Sequence, residues 1–90
     1  MPVKIEIPSP LREHTGGLVD VPVTGATVKD ALADLVRQYP AIEPKLFEAG
    51  KVRPYINLFV NDEDIRYLDD LDTATADGTI LAIIPAVAGG

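Results

Sequence analysis

The sequence predicts an α+β domain: a mixed sheet of about five strands with one main helix packed on one face. Three observations predict it. Apolar and polar residues alternate in "VKIEI" (3–7) and "INLFV" (56–60), the period of a strand with one buried face. A single stretch, "VKDALADLVRQY" (28–39), repeats apolar residues at three- and four-residue steps, the period of a helix. A final run, "TILAIIP" (79–85), is apolar on both faces and follows the turn signal Asp77-Gly78. One helix cannot sit inside so small a sheet, so it covers one face and leaves the other to solvent.

The elements follow in order. Val3, Ile5 and Ile7 define a first strand, "PSPLREHTGG" reads as a turn or loop, and Val19, Val21 and Val23 define a second strand that closes a hairpin. Val28, Ala31, Leu32, Leu35, Val36 and Tyr39 form the helical stripe, with Thr27 as N-cap and Pro40 beyond the end. Asp30 and Asp34 are expected on its water-facing side, where acids in the early turns suit the positive helix start. Ile42, Leu46 and Phe47 imply a short second helix or helical turn stopped by Gly50. Ile56, Leu58 and Val60 share one face of a strand, with Tyr55, Asn57 and Phe59 on the other. "NDEDI" turns this strand into a short one near Ile65–Tyr67, and "LDDLDTATADG" is a polar connection. The terminal strands, Val3–Ile7 and Thr79–Ile84, are expected at the sheet centre, and a helical crossover between strands of one sheet is right-handed. This arrangement is a β-grasp, spanning residues 1–84, with residues 85–90 as a flexible C-terminal Gly-Gly tail.

Bulk properties exclude several classes of function. Ninety residues make one domain with a small core. A net charge of −6 argues against nucleic acid, whose phosphates require a basic face, and allows a basic partner. No apolar run approaches the roughly 20 residues needed to cross a bilayer, and no secretory leader is visible, so no membrane association is expected. The absence of cysteine from so small a domain points to a reducing, cytoplasmic compartment.

Catalysis by the chain itself finds no support. There is one histidine, His14, in a Pro/Gly-rich segment, and one serine, Ser9, so no nucleophile–base pair is expected and His14 reads as a solvated residue. No imidazole or thiolate set exists to hold a metal. The acids of "NDEDIR" lack the spacing and the glycine of a calcium loop and read as a solvated hairpin tip, with an acidic docking patch as the alternative. "HTGG" lacks the lysine and following helix of a phosphate cradle.

Two features point instead to partners. A sheet face that only meets water should be polar, yet Phe59, Ala82 and Ile84 (Ile83 in the opposite parity) fall on the face away from the helix and form an expected docking patch. Pro85 ends the last strand, and the six residues from there to Gly90 reach roughly 20 Å when extended. Val87, Ala88 and Gly89 are small or lack a side chain, so a narrow channel can admit them and receive the α-carboxylate of Gly90, with an idle glycine-rich tail as the alternative that composition leaves open.

"LREHTGG" (11–17), "VNDEDIR" (60–66), "ATADG" (74–78) and "PAVAGG" (85–90) together resemble the ThiS/MoaD-type sulfur-carrier family, distant relatives of ubiquitin, and in particular its branch serving cysteine biosynthesis. The resemblance spans nearly the whole chain; "PAVAGG" marks the superfamily, and "HTGG" with "VNDEDIR" marks the branch. It implies that an E1-like enzyme adenylates Gly90 with ATP and that a sulfur donor converts the acyl-adenylate to a thiocarboxylate. Further implied partners are a pyridoxal-phosphate-dependent cysteine synthase that takes the sulfur and a JAMM-type zinc metallopeptidase that releases the product. ATP, pyridoxal phosphate and zinc are then cofactors of the partners, and the carrier binds none and catalyses nothing. An absent internal thiol suits a chain whose end is activated. The family also includes carriers for tRNA, thiamin or molybdopterin thiolation, and protein modifiers conjugated through the terminal glycine; these remain open.

Overall fold

The computed structural model describes residues 2–86, and within them the alternating segments become strands. β1 (Val3–Glu6) buries Val3 and Ile5, and β2 (Asp20–Val23) pairs with it antiparallel and buries Val21 and Val23. β5 (Ile56–Val60) buries Ile56, Leu58 and Val60, and β6 (Glu63–Asp64) folds back on it. β7 (Ile80–Pro85) lies in the middle of the five-stranded sheet, whose order is β2-β1-β7-β5-β6. It runs parallel to β1 and antiparallel to β5. The two terminal strands therefore lie side by side within the sheet, as expected.

α1 (Val28–Gln38) forms where the 3.6-residue period predicts it. Thr27 caps it, accepting a hydrogen bond from the Asp30 amide at 3.2 Å. Val28, Ala31, Leu32 and Leu35 are buried and pack with the inward residues of the sheet into one core, which Ile42 and Leu46 extend. Leu46 ends α2 (Glu43–Leu46), the short second helix, which a 3₁₀ turn at Pro40–Ile42 precedes. The sheet's opposite face carries Lys4, Glu6, Ile80 and Ile84 outward and exposed.

Several local readings are corrected. The segment after β1 is an ordered 3₁₀ stretch, Ser9–Thr15, because Leu11 and Thr15 are pulled into the core. Val19 lies outside β2 and is 49% exposed, so the alternation there begins one residue late. Asp34 does not simply face water: its side chain is only 10% exposed and accepts hydrogen bonds from the Thr24 amide and Gln38 at 3.0 Å each, and from the Arg37 guanidinium. Ile65–Tyr67 is a 3₁₀ turn, not a strand. The cause is Asp64, whose carboxylate accepts from the Arg66 amide at 2.9 Å and bends the chain. Phe47–Glu48 (β3) and Lys51–Val52 (β4) make a small separate hairpin. The polar connection is anchored to the start of α1: the Val28 amide donates to Thr73 O and the Thr75 amide to Ala26 O, each at 2.9 Å.

Candidate functional site

The parity of β7 decides which side chains reach solvent. Leu81 and Ile83 point into the core, so the alternative of an outward Ile83 is excluded. Ile80, Ala82 and Ile84 point outward, as do Asn57 and Phe59 of β5. Register then brings the expected patch together: Phe59 lies directly opposite Ala82, and Asn57 opposite Ile84. On the other side of β7, Lys4 pairs with Ile80 and Glu6 with Ala82, giving the apolar strip a charged border. Ile80, 43% exposed, extends the strip to the start of the strand. Sequence reasoning noted its apolar character but did not place it in the patch. Its even number, shared with Ala82 and Ile84, was the available signal.

The end of β7 is held on the β5 side. Asn61 N donates to Ile80 O at 2.9 Å, and Ala86 N donates to Tyr55 O at 2.6 Å. These two bonds bracket the β5–β7 ladder and show that even-numbered residues of β7 serve β5. Pro85, which lacks an N–H, is odd-numbered, so its missing donor falls on the other side, beyond the last β1–β7 pair at Ala82. Proline thus ends the strand without a lost ladder bond, and pairing to β5 continues to Ala86. Val87, Ala88, Gly89 and Gly90 lie outside the described residues.

Where β7 ends, Glu6, Ile7, Pro8, Arg12, Val19, Ala82, Ile83, Ile84 and Pro85 line a shallow groove. Val19 and Ile84, 49% and 47% exposed, are its apolar walls. Arg12 is a residue that sequence reasoning did not single out. Its Nε donates to Ile7 O at 2.9 Å, which fixes the guanidinium beside the end of the sheet. Only the topology, which puts the first loop next to the last strand, makes it visible.

The acidic motif and His14 make local contacts within the fold. Asn61 and Asp62 form the β5–β6 turn with φ of 48° and 72°, a left-handed pair that Asn and Asp tolerate better than most residues. Asn61 Oδ1 accepts from the Ile80 amide at 3.0 Å. Asp64, expected in a solvated tip, has a side chain only 10% exposed, in an ion pair with Arg66 at 2.7 Å. The Arg66 side chain, and then its backbone amide, hold the Asp64 carboxyl below its ordinary range. His14 is also not fully solvated: its Nε2 is buried, makes no hydrogen bond among the described residues, and lies 3.5 Å from Glu13 Oε1. No group of three or more His, Cys, Asp or Glu suited to a metal occurs among the described residues. No helix among them is long and apolar enough to cross a membrane.

Comparisons with known proteins bear on this arrangement. Residues 5–90 match the sequence model of the ThiS family. The chain is 43% identical over 93 aligned residues to the sulfur carrier protein CysO of Mycobacterium tuberculosis, covering 100% of both chains. It superposes on a chain of the Amycolatopsis orientalis BexX/CysO complex with a TM-score of 0.90 at 42% identity, covering 98% of this chain and 99% of that one. It also superposes on the small archaeal modifier protein 1 of Methanosarcina acetivorans, with a TM-score of 0.88 at 34% identity, covering 98% and 95%.

Proposed function

The chain belongs to the ThiS family, and from that premise we propose that it is a cytoplasmic sulfur carrier whose reactive group is the carboxylate of Gly90 and whose sulfur goes to cysteine biosynthesis. The observation that carries this reading is the full-length likeness to a protein named as the sulfur carrier CysO. The fold supplies a rigid mount for such a tail. β7 is held between β1 and β5, and three residues (87–89) separate Ala86, the last residue bonded to the β5 side, from Gly90.

The chemistry follows from the poor reactivity of a carboxylate, whose leaving group is oxide. An oxygen of Gly90 attacks the α-phosphorus of ATP on an E1-like enzyme, and pyrophosphate leaves. A sulfur nucleophile then attacks the acyl carbon and AMP leaves, giving a terminal –C(=O)S⁻. A pyridoxal-phosphate-dependent cysteine synthase supplies the serine-derived acceptor for that sulfur, and a JAMM-type zinc metallopeptidase releases cysteine from the tail. The chain's own residues bind and orient: Gly89, Ala88 and Val87 let the backbone enter a narrow channel, and Phe59, Ala82 and Ile84 dock the partner.

Incubation with the E1-like enzyme, ATP and sulfide should add an oxygen-to-sulfur mass increment that alkylation shifts by the mass of the alkyl group and that hydrolysis removes. Deleting Gly89 and Gly90 should abolish the increment and leave the melting temperature unchanged. An intact chain that gains no sulfur under these conditions would sink the proposal. The likeness to an archaeal modifier supports a second reading, conjugation of Gly90 to lysines of other proteins. That reading expects a ladder of larger adducts in lysate blots, and a single band opposes it.

A further inference from the structure

The groove at the end of β7 holds a cation whose partner is absent from the described residues. Arg12 is fixed at both ends. Its carbonyl accepts from the Gly17 amide at 2.8 Å and from Thr15 Oγ1 at 3.2 Å, and its Nε donates to Ile7 O at 2.9 Å. Ile7 directly follows β1, and its place one step past the parallel Glu6–Ala82 pair sets it beside Ile83, with its side chain in the core. With Nε committed, the two terminal nitrogens of the guanidinium make no hydrogen bond or ion pair among the described residues. Glu6 lines the same groove without pairing to Arg12.

We propose that Arg12 is a docking anchor: its guanidinium receives a carboxylate side chain on the rim of the enzyme that takes in the tail. This rests on the sulfur-carrier reading above. Three arguments select that occupant. A guanidinium already oriented through Nε presents its remaining donors as a fork that fits a carboxylate, at little further cost in side-chain entropy. The fork sits between the exposed apolar walls Val19 and Ile84, so a covering enzyme surface would exclude water from the pair and strengthen it. The phosphate of an acyl-adenylate is the other plausible anion, but Gly90 lies four residues past Ala86, roughly 13 Å when extended. A tail drawn out fully into a channel would carry the reacting phosphate away from Arg12 and leave the channel mouth facing it.

The test is sulfur loading by the E1-like enzyme with ATP and sulfide, followed as a function of carrier concentration. Arg12→Glu should raise KM for the carrier by about tenfold or more while kcat stays within about twofold, since charge reversal opposes docking and leaves the tail intact. Arg12→Ala should raise KM less, and Arg12→Lys least, because the charge survives without the fork. All three variants lose the Nε bond to Ile7 O, so a merely structural role would make Glu and Ala equally harmful and would lower the melting temperature in parallel. Equal KM values for all three, or a loss in kcat alone, overturns the proposal while sulfur loading of the unmodified chain stands. If the unmodified chain takes no sulfur, the carrier reading itself falls, and this inference with it. Should Arg12→Glu fail to fold, Arg12→Gln decides by the same KM criterion.

Discussion

Asp34 and Asp64 are two carboxylates that the fold takes largely out of solvent, and both are held ionised. The Thr24 amide, and after it the Arg37 side chain, lower the pKa of Asp34; the Arg66 side chain and amide lower that of Asp64. A carboxyl whose folded value lies below its unfolded value binds fewer protons when folded. Its stabilisation is complete above the unfolded value of 3.8 and is lost as pH falls through the lowered folded value. Urea midpoints are therefore expected to be steady from neutrality to about pH 5 and to fall below about pH 4. Asp34→Asn and Asp64→Asn should each lower the midpoint at neutral pH and flatten the acid decline. An acid decline unchanged in both variants would assign it to other groups.

At the scale of elements, the loop that enters α1 is as constrained as the helix. A Cβ on Gly25 would come within 2.5 Å of the Ala31 amide nitrogen and 2.8 Å of the Asp30 carbonyl carbon, and these are backbone atoms that cannot swing aside. Gly25→Ala should destabilise the domain by about 1–3 kcal/mol, as overpacking does. Removing the Thr27 cap costs about 1 kcal/mol by comparison. Chemical denaturation of both variants orders the two effects, and a neutral Gly25→Ala would show that the loop yields. Elements with enough residues to show a pattern were legible in the sequence: α1 over three turns, β1 and β5 through their alternation, and β7 as an apolar run after the Asp77-Gly78 turn signal. The two-residue strands β3, β4 and β6 were not, since two residues display no period. Ile65–Tyr67 was misread because the deciding contact, Asp64 with the Arg66 amide, is a side-chain choice that hydropathy does not register. The outward placement of Phe59 was legible from the alternation of β5, whereas β7, apolar on both faces, left Ile83 and Ile84 as alternatives until burial of Ile83 decided between them. Arg12 was not, since it depends on which strands become neighbours.

At the scale of the whole molecule, one face of the sheet carries the helix and the other carries the strip of Phe59, Ala82 and Ile84. The acid-rich stretch begins at the Asn61–Asp62 turn, beside Ile80, whereas the tail leaves beyond Pro85. The most concentrated negative charge in the sequence thus begins at the end of β7 away from the tail. Phe59→Ala should cost less than the roughly 3–5 kcal/mol of a core aromatic, because its ring faces outward. On the docking reading it should still raise KM for sulfur loading. A variant that melts earlier yet loads with unchanged KM would make Phe59 a packing residue only.

The placement of β7 has a mechanical consequence. An enzyme that grips Gly90 and pulls the tail into a channel pulls β7 lengthwise, between a parallel neighbour and an antiparallel one. Force applied along that axis is shared by the hydrogen bonds on both sides at once, instead of parting them one after another. On the carrier reading, a pull on the tail would load the sheet in shear across both neighbours of β7.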